Sequence, residues 1–238
     1  MKGKFITCES KQGAMDIYIA RPELKTALPV VIVLQEAFGV NHHIRSICDR
    51  LSEQGFIAAA PELFHRMGKH IEIPYTDRTQ IMANLEQLTN ESILSDVREA
   101  INFLEIEMGI DTRRINTLGF CVGGFASALC ASKHNVHKMI SFYGAGMVNY
   151  REGFGLQPIL GSLKQIKSQC LFFFGEMDGS IPLEEREEIK LKLKEGKVKF
   201  QMKIFPSSGH GFFCDERSSY NAEDARNSWE MLISFMKE

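Results

Sequence analysis

The segment Thr117-Leu118-Gly119-Phe120-Cys121-Val122-Gly123-Gly124 reads as a buried strand that turns abruptly into a helix, with one thiol at the corner. A strand feeding directly into a helix belongs to a β/α unit, and the flanking glycines let the backbone close tightly there. Phe125, Ala126, Ala128 and Leu129 continue as a small-residue helix able to pack close to a sheet. Taken alone, Cys121 reads equally well as a core residue, since free cysteines are among the most buried side chains.

The rest of the chain repeats the β/α theme. Ala14 to Ala20 alternates like a strand with one covered face, whereas Leu28-Pro29-Val30-Val31-Ile32-Val33-Leu34 is continuously apolar, as a central parallel strand is. Helical spacing over residues 43–54 ends at Gly55, and Phe56 to Ala60 reads as a short strand, so strand, helix and strand form a right-handed crossover. Residues 61–76 are irregular and are expected to lie over the active face, followed by helical patterns over 78–88 and 91–108. Further strands are expected at 114–118, 138–144, 169–175 and 198–205, with a last helix over 220–237. The pattern predicts an α/β fold: one domain over residues 1–238, built on a mostly parallel, doubly wound sheet flanked by helices.

A formal net charge of -2 over 238 residues supplies no basic field, which argues against nucleic acid or an anionic membrane as partner and favours a compact small-molecule substrate. No apolar run approaches the roughly 20 residues that cross a bilayer, and no export signal is recognisable, so a soluble cytoplasmic protein is expected. A monomer is the default for such a fold. Cys8, Cys48, Cys121, Cys130, Cys170 and Cys214 lack paired spacing and read as thiols. His42-His43, His65 with His70, and His134 with His137 have no carboxylate or cysteine at a zinc-site spacing, so they are assigned mostly to surface loops and helix ends. No metal or cofactor is called for.

Chain order gives Cys121 its functional reading. It is followed by Asp178, after a hydrophobic run, and by His210 in Ser208-Gly209-His210-Gly211. Nucleophile, acid and histidine in that order is the arrangement of an α/β-hydrolase. Asp178 in Asp178-Gly179 is also a good turn former, and His210 between glycines also suits a plain loop. A neutral imidazole can accept the thiol proton and later return it to a leaving group, while the acid fixes its tautomer. Attack on an ester-like carbonyl forms a thioester that water then hydrolyses. The oxyanion needs two backbone donors, for which Val122 N–H and Ala37 N–H, in the turn after the early central strand, are the candidates. Glu36 then stands beside the thiol, although pattern alone allows it equally to bind loop amides.

These residues give the whole chain a resemblance to the dienelactone hydrolase (carboxymethylenebutenolidase) family. It rests on Gln35-Glu36-Ala37-Phe38-Gly39-Val40-Asn41, Ala60-Pro61-Glu62-Leu63-Phe64, Gly119-Phe120-Cys121-Val122-Gly123-Gly124, Phe142-Tyr143-Gly144, Gly175-Glu176-Met177-Asp178 and Gly209-His210-Gly211-Phe212. The resemblance implies a Cys121–His210–Asp178 triad, Ala37 and Val122 as oxyanion donors, and Glu36 as a carboxylate assisting thiol activation. It also implies an arginine for an anionic substrate group shortly after the histidine, where this chain has Cys214. Arg217 and Arg78 are then the candidate anion contacts, and since a displaced arginine does not reproduce the same fork, small activated esters or lactones are expected in preference to dienelactone itself. The same motif suits a thioesterase or general carboxylesterase, and an accessible thiol also suits a non-catalytic redox or electrophile sensor.

Overall fold

The computed structural model describes residues 2–10, 13–23 and 28–238. Its strands are β1 (Lys4–Ser10), β2 (Gly13–Ala20), β3 (Val30–Leu34), β4 (Ile57–Pro61), β5 (Ile115–Phe120), β6 (Lys138–Phe142), β7 (Gln169–Gly175) and β8 (Phe200–Phe205). Its helices are α1 (His42–Glu53), α2 (Arg78–Gln87), α3 (Asn90–Ile106), α4 (Val122–Lys133), α5 (Leu160–Leu163), α6 (Leu183–Glu195) and α7 (Ala222–Lys237).

The strands make one sheet in the order β1-β2-β4-β3-β5-β6-β7-β8. β1 to β2 and β2 to β4 are antiparallel, and every later pair is parallel. β3, β4, β5 and β6 are buried along their whole length; β3 and β4 are therefore continuously apolar, whereas β5 and β6 also bury Asn116, Thr117, Lys138 and Ser141. β8, at the far edge, alternates half-buried and exposed residues instead.

Two readings of the sequence change here. Residues 4–10 form a full edge strand that the sequence reading did not assign, and residues 14–20 are not covered on one face alone. β2 has a strand on either side and packs against α1, and its residues from Met15 to Ala20 are all buried. Residues 61–76, by contrast, do pack against the turn after β3, where Ile73 N–H donates to Phe38 O at 3.1 Å, and run on toward the loop that follows β8. Lys69 and His70 each lie 2.8 Å from buried Asp16 of β2, and the Tyr75 hydroxyl donates to Glu216 at 2.7 Å.

Helix starts follow local capping chemistry. Asn41, Asp77, Thr89 and Asn221 cap α1, α2, α3 and α7 with side-chain oxygens. α4 is different: the residue at its N-cap is Cys121, and no side chain satisfies its first amides. These amides face the end of the sheet where chemistry is expected.

Candidate active site

Cys121 joins β5 to α4 with φ 54° and ψ -118°. A non-glycine residue in that region stores roughly 1–3 kcal/mol of strain and persists only where its surroundings fix it. They do so here, since Cys121 N–H donates to Phe142 O at 3.0 Å and Gly124 N–H to Cys121 O at 2.9 Å. The glycines serve close packing: a Cβ on Gly119 would lie 1.8 Å from Gly123 O, and one on Gly123 would lie 2.1 Å from Leu34 O. Only Gly lets β5, α4 and the end of β3 approach so closely. All six cysteines are free, and Cys121 alone among them is half-buried. Burial holds the Cys130 and Cys170 thiols up at about 12.

The loops that follow β7 and β8 are stitched together, with Glu176 N–H donating to Phe205 O at 2.9 Å and Met177 N–H to Ser208 O at 3.0 Å. This juxtaposition brings His210 Nδ1 to 2.7 Å from Asp178 Oδ2. Asp178 Oδ1 accepts Ser180 N–H at 2.8 Å, so one carboxylate both forms the turn and meets the imidazole. The turn reading of Asp178 is compatible with its contact to the imidazole. With Nδ1 directed at Asp178, Nε2 is the nitrogen free to face the thiol. Burial opposes protonation of His210, but the charge on Cys121, then the hydrogen bonds with Asp178 and Cys121, override it and push its pKa up to about 10.

Glu36 is fully buried in the turn after β3, and Arg217 Nη1 lies 3.2 Å from its Oε1. The Arg217 guanidinium also rests 5.3 Å from the Phe38 ring centroid and against Gly211, where a Cβ would come within 2.2 Å of Nη1. Arg217 therefore belongs to the same constellation as His210 and Glu36. Arg78 does not: it is exposed at the start of α2, with no side-chain bond to any of these groups. Ala37 and Val122 are both buried, on the turn after β3 and at the first position of α4, and neither backbone N–H donates to another described residue.

Two further residues, Tyr143 and Cys214, complete the surroundings. Tyr143 is fully buried, with its ring centroid 5.1 Å from that of His210. Its hydroxyl has no hydrogen-bond partner among the described residues. Burial, then the charge of Glu36, pushes that hydroxyl well above the usual phenol range. Its place directly after β6, in Phe142-Tyr143-Gly144, was the available signal. Cys214 is buried, and its Sγ lies 3.5 Å from Tyr75 Oη. Burial and then Glu36 raise its thiol to about 11. His43 and His65 correct the surface assignment of the histidines. His43 is 4% exposed and is kept below the ordinary imidazole value by burial. The His65 side chain is buried, with Nε2 3.3 Å from Asp96.

Every one of the catalytic candidates lies just beyond the carboxyl end of a parallel strand, where open α/β sheets place ligands. A cleft of about 730 Å³ lies at the opposite strand ends, lined by Pro29, Phe56, Arg114, Asn116 and Lys138, and holds none of these groups.

The model of the "Dienelactone hydrolase family" matches residues 15–238. The chain belongs to the dienelactone hydrolase family. A Synechocystis sp. protein named "Putative carboxymethylenebutenolidase" is 35% identical over 98% of this chain and 95% of its own length. An Escherichia coli K12 protein of the same name is 32% identical over 98% of this chain and 86% of its own. The crystal structure titled "Putative Dienelactone Hydrolase" from Klebsiella pneumoniae superposes with a TM-score of 0.90 at 27% identity, covering 99% of this chain and 98% of that one. The protein is thus a dienelactone hydrolase-like enzyme acting on an ester or lactone. No described helix is long and apolar enough to cross a membrane.

Proposed function

We propose that the protein hydrolyses small ester or lactone substrates by covalent catalysis, with Cys121 as nucleophile, His210 as general acid–base and Asp178 as its orienting acid. The observation that carries this reading is His210, held at 2.7 Å by Asp178 on one nitrogen and electrostatically coupled to the Cys121 thiol.

Cys121 Sγ attacks the carbonyl carbon, and the π electrons move to the carbonyl oxygen, where the amides of Ala37 and Val122 stabilise the charge. Collapse of this intermediate breaks the carbon–oxygen bond, and the departing alkoxide takes the proton from His210 Nε2. A thioester remains. In a lactone the alcohol stays tethered to the acyl group. Consuming the thiolate removes a major influence that raised the His210 pKa, so the now neutral imidazole can accept a proton from water. The hydroxide adds to the thioester, the thiolate leaves, and the imidazolium and thiolate are restored together.

Glu36 assists thiol activation in this reading, supported by its burial one residue before Ala37 and by an Oε2 with no partner among the described residues. Arg217, anchored on Glu36, is the contact for a substrate carboxylate. The decisive experiment is a panel of small lactones, aryl esters and acyl thioesters, run with the unchanged protein and with Cys121→Ala. Turnover confined to lactones and oxygen esters, lost in the variant and trapped as a thioester adduct at Cys121, supports the proposal. Preference for acyl thioesters points to a thioesterase. Alkylation of Cys121 with no turnover anywhere in the panel leaves the sensor reading and removes this one.

A further inference from the structure

Near the turn that carries Ala37, three side chains of different chemistry converge, two of them seven residues apart and the third from the far end of the chain. Glu36 comes from the turn after β3, His43 from the first turn of α1, and Cys214 from the loop after β8. Each can offer one donor atom such that all three lie within 4.8 Å of one another, and all three residues are buried. We propose that Glu36, His43 and Cys214 form a zinc site that, when loaded, inhibits hydrolysis by withdrawing Glu36 from the catalytic thiol. The inhibitory half rests on the function proposed above; the metal site does not.

Two unpartnered atoms point to a ligand. Glu36 Oε2 and His43 Nε2 are buried without a hydrogen-bond partner among the described residues, each a costly state for a polar atom. Glu36 is held through its other oxygen by Arg217 at 3.2 Å, and His43 Nδ1 lies 3.8 Å from Asp215 Oδ1, beyond a hydrogen bond here but close enough for a small shift to make Asp215 the outer carboxylate of a metal-bound imidazole. Phe120 and Phe213 each flank the His43 ring at 6.0 Å between centroids, which restricts its swing.

The donor set selects the metal. One thiolate, one imidazole and one carboxylate suit Zn²⁺ and do not suit Mg²⁺ or Ca²⁺, which take oxygen ligands. With bonds of about 2.0–2.3 Å in tetrahedral geometry, zinc donors sit about 3.3–3.8 Å apart. Closing from 4.8 Å therefore asks for displacements of about 1 Å or less per side chain. Charge balances as well. Zn²⁺ is neutralised by the Glu36 carboxylate and the Cys214 thiolate, whose proton passes to solvent, while the outer charges of Asp215 and Arg217 cancel. The fourth position is left to water.

The test uses the chelator-treated full-length protein, titrated with Zn²⁺ and, as a spectroscopic probe, Co²⁺. The expected result is one metal per chain, with a thiolate-to-cobalt charge-transfer band that persists in Cys121→Ala and disappears in Cys214→Ala. His43→Gln should weaken zinc binding by at least about tenfold. Cys214→Ser, which nearly preserves side-chain volume, serves if the alanine variant does not fold. Uptake that survives loss of Cys214 but not of Cys121 places the metal on the catalytic thiol and overturns the proposal, as does absence of uptake at equimolar metal. These readouts are independent of turnover, so a failed esterase assay does not affect them. Where turnover is measured, zinc should inhibit the unchanged enzyme and lose that effect in Cys214→Ser.

Discussion

Arg217 Nη1 lies 3.2 Å from Glu36 Oε1, an ion pair that joins residues 181 positions apart and ties the loop after β8 to the turn after β3. Glu36 is completely buried, whereas the Arg217 side chain is 19% exposed, so the carboxylate is the partner that cannot be left alone. Removing Arg217 should expose that dependence. Arg217→Met is expected to destabilise the fold by about 3 kcal/mol, the lower end for breaking a buried pair, because one partner still reaches solvent. Adding Glu36→Gln should recover part of the loss. Denaturant unfolding of the two single variants and the double variant measures this coupling, and a cost below about 1 kcal/mol for Arg217→Met would show that the pair does not anchor the loop.

Asp178→Asn separates the turn from the catalytic role. The asparagine oxygen can still accept Ser180 N–H, so stability should change little, while the charged partner of His210 Nδ1 is lost. Turnover is expected to fall by about 10⁴, as when a triad acid becomes an amide and the imidazole takes the wrong tautomer. Cys121 should remain open to a small alkylating agent. Turnover within tenfold of the unchanged enzyme would remove Asp178 from the mechanism.

His210 predicts an alkaline limit. Its pKa, raised from 6.5 to about 10, means that the imidazolium persists through neutral pH and is lost as pH rises through the folded value. In the proposed mechanism the imidazolium protonates the leaving alkoxide, so kcat/KM should fall on the alkaline side with a midpoint near 10. In Cys121→Ala the strongest upward influence is gone while burial remains, so the His210 imidazole, followed by NMR, should titrate at lower pH. An unchanged midpoint in that variant would show that thiol and imidazole are not coupled.

Why some of this was legible in the sequence and some not follows from range. β3 announced itself because both its faces are buried, which forces a continuous apolar run, and β5 because a glycine-flanked turn follows it, although it carries Asn116 and Thr117. β1 did not announce itself, because a half-exposed edge strand mixes Phe5 and Ile6 with Lys4, Thr7 and Glu9. Chain order singled out Cys121, Asp178 and His210 as candidates because fold topology constrains it, and the structure brings Asp178 and His210 to 2.7 Å. The Arg217–Glu36 pair and the burial of His43 beside Cys214 were not legible, since no local pattern links an α1 residue to the loop after β8. His43 simply looks polar at a helix start, and only the packing of Phe120 and Phe213 encloses it.

The elbow glycines give a test of close packing. In Gly119→Ala the new methyl group would sit 1.8 Å from Gly123 O, which is backbone and cannot rotate away. We expect a loss of about 3 kcal/mol or more, or failure to fold. Gly161→Ala is the control: nothing lies within 4 Å of its Cβ, and stability should hold or rise. If thermal unfolding finds the two variants alike, the close approach of β5 and α4 is not the reason for Gly119.

Tyr143→Phe distinguishes a structural phenol from one waiting for substrate. The hydroxyl is buried without a partner among the described residues, beside His210, so removing it takes away an unsatisfied polar group. Folding stability should therefore stay level or increase, the reverse of the usual cost of losing a hydrogen-bonded tyrosine hydroxyl. If the hydroxyl donates to the substrate, the same variant should lose about tenfold in kcat/KM, the cost of roughly one hydrogen bond in the transition state. Stability and turnover then move in opposite directions, which a packing defect cannot produce. A variant that loses both together would mean that the phenol supports the site only as part of the core, and one that loses neither would leave its hydroxyl without a role in the reaction.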